Sequence, residues 1–458
     1  MIIRNGRVVT EDAVIRADIL IRGETIAAVG CDIPLPPDCT VIDAAGMFVF
    51  PGGIDVHTHM NLDTGVAVAS DDFYTGTVAA ACGGTTTIVD HIGFGPAGCR
   101  LDHQIERYHG MADGMAVIDY GFHGVIQHVD DGVLADMGRL ANEGITSYKV
   151  YLTYGFKIDD GGLFRVLEKA NETGVLIAVH PENDGVITHF RACFKAQGKL
   201  APKYHALSRP AECEAEAVNR AILLARMAGD APLYIVHTSS AIALSCIMAA
   251  RERGQRRIFA ETCPQYLLLD ENRYDLGEDS LKYIMCPPLR TGADNEVLWN
   301  ALPQHLDTVA TDHCPFMFAT QKMPAKDDFT RCPSGVPGVE ERMALLFSEG
   351  VQKNRITLRR FTDLTSTNPA KLFGMYPRKG VIRPGSDADL VIIDPDKQVT
   401  IRQKNLHSRV DYSVYEGLET QGWPVYTINR GEVIVKKGEF IGKKGRGVFI
   451  QRKRGVYG

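Results

Sequence analysis

Phe50-Pro51-Gly52-Gly53-Ile54-Asp55-Val56-His57-Thr58-His59 opens on a Pro-Gly-Gly break and runs through apolar residues to two histidines spaced two apart. On an extended chain side chains alternate between faces, so His57 and His59 share one face and can reach a single cation. Three later segments end alike: Ile177-Ala178-Val179-His180, Ile235-Val236-His237-Thr238 and Val309-Ala310-Thr311-Asp312-His313. Short apolar or β-branched runs recur at 47–54, 85–90, 120–126, 147–152, 175–179, 233–236, 257–261 and 308–311. Helical patterns fill the gaps, as at 214–227, where Ala, Leu and Arg repeat at three and four. Strand alternating with helix signals a parallel sheet, and eight strands is the number that closes a (β/α)8 barrel. The longer gap after the fifth run calls for an extra helix or loop, which 189–199 supplies.

Outside this region the pattern changes to period two. Met1-Ile2-Ile3-Arg4 and Ala17-Asp18-Ile19-Leu20-Ile21-Arg22 are strand-like, with turns at Asn5-Gly6 and Arg22-Gly23. The same signature returns after about residue 380, in Asp389-Leu390-Val391-Ile392-Ile393-Asp394 and Glu432-Val433-Ile434-Val435. The expected fold is therefore α/β: a (β/α)8 TIM-like catalytic barrel over 51–379, with a small β-sandwich domain built from both chain ends, 1–50 and 380–458. The last stretch forms a basic tail, Lys443-Lys444-Gly445-Arg446 and Arg452-Lys453-Arg454, read as a solvated terminus or subunit contact.

Composition narrows the function classes. The 458 residues are 45% hydrophobic and 23% charged, near globular averages. Fifty Lys plus Arg against 56 Asp plus Glu leave a net charge of -6, so no field attracts nucleic acid. Arg4 and Arg7 interrupt any signal-like start, and no run reaches the roughly 18 apolar residues of a membrane span. Eleven cysteines without a Cys-x-x-Cys pair suit reduced thiols, and the expectation is a cytoplasmic protein with no membrane partner.

The histidines carry the chemistry. One His after an apolar strand reads as a hydrogen-bonded structural residue, but His57, His59, His180, His237 and Asp312 fall at the same end of four strands. At that edge a barrel places its active site, and imidazole with carboxylate is a usual zinc donor set. His91, His123, His128 and His313 lie near the same edge, as supporting or structural residues. Lys149, inside Ser147-Tyr148-Lys149-Val150-Tyr151, is costly to bury unpaired. Either an ion pair holds it, or burial and neighbouring cations depress its pKa so that the amine takes up carbon dioxide, giving a carbamate that can bridge two metals.

These residues, together with 73–76, Gly83-Gly84-Thr85-Thr86-Thr87, Glu261-Thr262-Cys263-Pro264-Gln265-Tyr266, Pro287-Pro288-Leu289-Arg290 and 368–374, resemble the amidohydrolase superfamily. Within it the chain is similar to the cyclic amidohydrolases of the dihydropyrimidinase and hydantoinase branch, most of all the bacterial phenylhydantoinase type, over almost its whole length. The resemblance implies two divalent metal ions, zinc first and manganese or cobalt as alternatives. His57, His59 and Asp312 would hold one, His180 and His237 the other, with Lys149 as N6-carboxylysine bridging both. It further implies Tyr154 as donor to the oxyanion and a homotetrameric assembly. The implied reaction opens the ring amide of a small cyclic ureide, a 5-substituted hydantoin or dihydropyrimidine, to an N-carbamoyl amino acid. Asp312 would shuttle the proton from the attacking water to the leaving nitrogen.

Two positions depart from the family's usual residues: Cys286 stands where Ser is common, and Ser334 where Asn is common. Both touch the cyclic amide largely through backbone in the family. The loops 60–73, with Leu62 and Val66, and 153–159, with Tyr154 and Phe156, are apolar and would receive an apolar ring substituent. An allantoinase shares the ligand set and is the alternative, and a non-catalytic scaffold homologue would lack the ligands. A dihydroorotase commonly carries Arg two positions after the first His pair, where this chain has Asn61.

Overall fold

The computed structural model describes residues 1–457. Eight parallel strands form one sheet in strict chain order: Gly53–Thr58, Thr85–His91, Asp119–Val125, Ser147–Tyr151, Leu176–His180, Leu233–Ile235, Ile258–Thr262 and Thr308–Val309. Almost every residue of these strands is buried, as expected where side chains fill the barrel on one face and helices cover the other. The extra helix after the fifth strand spans Asp184–Ala196, and the long helix before the sixth spans Ala211–Met227.

The first strand differs from the expected run at 47–54. Phe48–Pro51 belongs to another sheet, pairing antiparallel with Leu390–Thr400, and the barrel strand begins only at Gly53. The changeover falls on two glycines for a steric reason. A Cβ on Gly52 would lie 2.2 Å from Thr86 Oγ1, and one on Gly53 would lie 2.5 Å from Met343 Sδ. Gly52 N donates to Asp389 O in the outer sheet, while Gly53 N donates to Gly84 O in the barrel.

The barrel closes between its first and last strands largely through side chains. Apart from a bridge between Thr58 and His313, the seam is held by Asp55, which accepts from Thr311 Oγ1 at 2.7 Å and Thr311 N at 3.2 Å. Arg342, fully buried beside Asp55, donates to Ile54 O at 3.1 Å and Val309 O at 2.9 Å, tying both strands together. An unpaired guanidinium would be costly there, and Asp55, 3.8 Å from Nε, supplies the opposing charge.

The chain ends meet in one nine-stranded mixed sheet over a second apolar core that includes Ile3, Val8, Ile19, Ile21, Leu390, Ile392 and Ile428. It is mixed because Val41–Asp43 and Phe48–Pro51 run parallel to Ile2–Val9. The tail corrects the reading of a wholly solvated terminus. Ile450 N donates to Tyr120 O, and Arg452 is buried beneath the barrel, donating to Ser147 Oγ and Phe122 O. Lys453 and Arg454 stay exposed. A basic run read by composition alone does not reveal that its second arginine plugs the strand ends. All eleven cysteines are free, and no helix among the described residues is long and apolar enough to cross a membrane.

Candidate active site

The C-terminal ends of the strands open into a cavity of about 270 Å³. Every site residue expected from the sequence lines it: His57, His59, Leu62, Lys149, Tyr154, Phe156, His180, His237, Cys286, Asp312 and Ser334. Asp312 Oδ1 lies 3.0 Å from His57 Nε2 and 3.1 Å from His59 Nε2. Across the cavity His237 Nε2 faces His180 Nδ1 at 2.9 Å.

Two of the four imidazoles are aimed by a carboxylate behind them. His57 Nδ1 is 2.6 Å from Glu261 Oε1, and that carboxylate also accepts from His237 N at 2.8 Å and Tyr234 OH at 2.8 Å. His180 Nε2 meets Glu182 Oε2 at 2.7 Å, and Glu182 is paired in turn with Arg209 at 2.5 Å. Such carboxylate–histidine pairs fix ring orientation and leave the other nitrogen for a ligand. The sequence reading assigned no role to Glu182, Glu261 or Arg209. Their signals were local, a carboxylate two residues after His180 and another near the end of the seventh strand, but the pairings join residues as far as 204 positions apart.

Of the further histidines, His123 bonds Val56 O and Ser147 Oγ, and His313 Nε2 bonds Asp71 Oδ2 while its Nδ1 accepts from Gly338 N and Val339 N. Both are structural. His128 pairs with Asp130 away from the cavity. His91 stacks on His123 at 4.1 Å and packs edge-on against His57 at 4.3 Å, supporting the ring from below.

Three site residues sit on left-handed backbone, Tyr154 at φ 75°, His237 at φ 39° and Asp312 at φ 55°. Each costs of order 1–3 kcal/mol, a strain that persists where the surroundings impose it. Asp184 does so at Tyr154, accepting from Tyr154 N at 3.2 Å and Thr153 Oγ1 at 3.0 Å.

The electrostatics show what the cluster lacks. Burial alone would lower the pKa of His57, but Glu261 and Asp312 outweigh it and raise the value to about 9. Burial takes His59 down to about 4 and His237 well below its usual value. The Asp312 carboxyl would rise on burial, yet His57 and His59 hold it well below the carboxylate range. His59 and His237, kept neutral beside the ionised Asp312, are in the protonation states that metal ligands require, while His57, held protonated by two carboxylates, shows the site drawing in positive charge. The buried ring nitrogens without a hydrogen-bond partner include His59 Nδ1 and His237 Nδ1, and His57, His59 and Asp312 bring donors within 4.8 Å of one another. The residues present fit a divalent metal centre.

Lys149 makes no ion pair among the described residues; its ammonium lies 5.2 Å from the Tyr151 ring, and burial lowers its pKa to about 8. Of the two readings of this lysine, the geometry favours a free amine. Around the cavity mouth Phe156 stacks on Phe94 with centroids 3.5 Å apart, and burial keeps the Tyr154 phenol protonated. Val66 is 72% exposed, so this loop side chain lines the opening without packing into the barrel.

A barrel whose C-terminal strand ends gather histidines and a carboxylate fits a class of metal-dependent hydrolase. The dihydro-orotase-like family matches residues 46–242 and the amidohydrolase family residues 284–434. A D-phenylhydantoinase of Escherichia coli is 52% identical over 454 residues, covering 99% of this chain and 98% of that protein. Among solved structures, the dihydropyrimidinase from Brevibacillus agri superposes with a TM-score of 0.97 at 45% identity, covering 99% of each chain. The L-hydantoinase from Arthrobacter aurescens gives 0.89 at 32%, covering 98% of this chain and 99% of that one. The chain belongs to the hydantoinase and dihydropyrimidinase branch of the amidohydrolase family.

Proposed function

We infer that this chain hydrolyses the cyclic amide bond of 5-substituted hydantoins and dihydropyrimidines, releasing N-carbamoyl amino acids. The observation that carries this reading is the convergence of four histidines, Asp312 and an unpaired lysine in one cavity whose mouth is aromatic. His57, His59 and Asp312 would hold one divalent ion and His180 and His237 a second, with Lys149 bridging as N6-carboxylysine. Zinc suits nitrogen and oxygen donors, and manganese or cobalt can take its place. When bound, the ions supply Lewis acidity, bringing water toward ionisation at neutral pH and polarising the amide carbonyl.

The chain's own groups do the rest. Asp312, ionised and held by two imidazoles, accepts the proton of the attacking water on a carboxylate oxygen and returns it to the leaving ring nitrogen. Tyr154, a neutral donor on a strained turn fixed by Asp184, points its hydroxyl at charge developing on the carbonyl oxygen. Leu62, Phe94 and Phe156 enclose the 5-substituent and exclude water, while Cys286 and Ser334 face the ring. The enzyme is read as a cytoplasmic homotetramer, with free thiols supporting the compartment.

The test is a substrate panel with chiral analysis of the product. 5-Phenylhydantoin should be turned over more efficiently than hydantoin, and both far more than allantoin or dihydroorotate, with D-configured product following the Escherichia coli relative's name. Preferred hydrolysis of allantoin would assign the site to the alternative.

A further inference from the structure

Away from the catalytic cavity, side chains from three distant parts of the chain converge on a second one. Cys82 ends the helix Thr75–Cys82, Glu340 follows the last barrel strand, and His407 lies between the strands Leu390–Thr400 and Glu419–Asn429. Their sulfur, oxygen and nitrogen donors lie within 4.8 Å of one another, and all three line a cavity of about 160 Å³. We propose that this is a cation site separate from the catalytic centre, taking a thiophilic divalent ion of the zinc and cadmium class.

The contrast with another buried cluster shows why. Asp119, Asp387 and Asp389 also bring three donors together, but Lys379 Nζ already fills their centre, 2.8 Å from Asp119 and 3.1 Å from Asp387 and bonded to Asp389. Among the described residues no ammonium is bonded to the Cys82 cluster. Glu340 is engaged only by His407, through Nδ1 at 2.8 Å and the backbone N at 2.7 Å. The Cys82 thiol, 1% exposed, makes no hydrogen bond among the described residues.

Binding forms bonds from the ion to Cys82 sulfur, a Glu340 oxygen and a His407 ring nitrogen. The thiol proton leaves to solvent, and no electron moves. Thiolate and carboxylate then neutralise the divalent charge, so little net charge is buried. A thiolate with imidazole selects zinc or cadmium over magnesium or calcium. His407 is half-buried, which gives the ion an entry path and leaves a coordination place for water. Arg402 on the same wall is held by Glu416, while Lys397 remains an opposing charge and keeps this site weaker than the catalytic one.

An ion here would also brace the loop that supports the active site. Beside His407, Ser408 Oγ and Arg409 N both donate to Asp71, the carboxylate holding His313 next to Asp312. The experiment loads the full chain with Cd2+, removes unbound ion by gel filtration, and measures cadmium content and thiolate-to-cadmium ultraviolet absorption. Wild type should retain one more ion per chain than Cys82→Ala and show absorption that the variant lacks. His407→Ala, altering a half-buried side chain and leaving the packing around Cys82 in place, should lose the same ion. Equal cadmium content and equal absorption in wild type and both variants would overturn the proposal.

Discussion

At the N-terminal end of the barrel, Lys379 is buried among Asp119, Asp387 and Asp389, and Arg452 spends its guanidinium on Ser147 and Phe122. At the C-terminal end, four histidines are buried as deeply beside a partly exposed Asp312, yet His59 Nδ1 and His237 Nδ1 have no partner and three residues hold left-handed backbone. One end pairs its buried lysine with three carboxylates and contributes stability. The other keeps donors and strain in reserve for ligands that the chain itself does not supply. The two ends of one set of strands thus separate folding from chemistry, and substitutions at each should fail in different ways.

The largest effect is expected at Lys149. Lys149→Ala should lose most activity and regain part of it when short carboxylic acids are added to the assay, because they occupy the place of the carbamate. Lys149→Arg should not be rescued, since its guanidinium is always charged and repels the ions. Full activity in Lys149→Ala without additive would remove the bridging role.

Asp312→Asn should keep fold and much of the metal but lose turnover on the order of a thousandfold, the range for removing a general base. Stopped assays of kcat beside circular dichroism separate the two readouts. Retention of more than about a tenth of wild-type turnover would mean another residue moves the proton.

At the opposite end the sign of the comparison reverses. Lys379→Met leaves three buried carboxylates without their cation and should cost about 3–5 kcal/mol of stability. Chemical denaturation measures the loss, while turnover per folded molecule should stay near wild type. A large fall in kcat with unchanged stability would erase the division between the two ends.

The smallest effect concerns the mouth of the cavity. Burying a phenyl ring is worth roughly 2 kcal/mol, about thirtyfold in kcat/KM where the contact persists in the transition state. Phe156→Ala should shrink the advantage of 5-phenylhydantoin over hydantoin by up to that factor and leave hydantoin turnover unchanged. If both substrates fall together with stability, Phe156 packs the loop and does not select the substituent.

The working end was the more legible in the sequence. The expected ligands fall in or just after barrel strands, so His57, His59, His180, His237 and Asp312 stand in local patterns that a reader of one segment can see. The closed end is built from pairs far apart in the chain, Lys379 with Asp119 and Arg452 with Ser147, and no local period marks them. For the same reason Arg342 at the barrel seam and Glu261 behind His57 stayed silent, because their role is set only when distant strands meet. The break at Gly52–Gly53 is visible as Pro-Gly-Gly, but Leu390–Thr400, one of the two strands that capture Phe48–Pro51, lies more than 300 residues away.

The central claim, that the open end is a two-ion centre, is tested most directly by titrating metal-depleted protein with Zn2+ and following hydrolysis of 5-phenylhydantoin. Cys82→Ala protein is used, so that the proposed separate site takes no part. The account predicts little activity without metal and a rise that levels off at two equivalents per chain. Full activity in the metal-free protein, or a plateau at one equivalent, would contradict it.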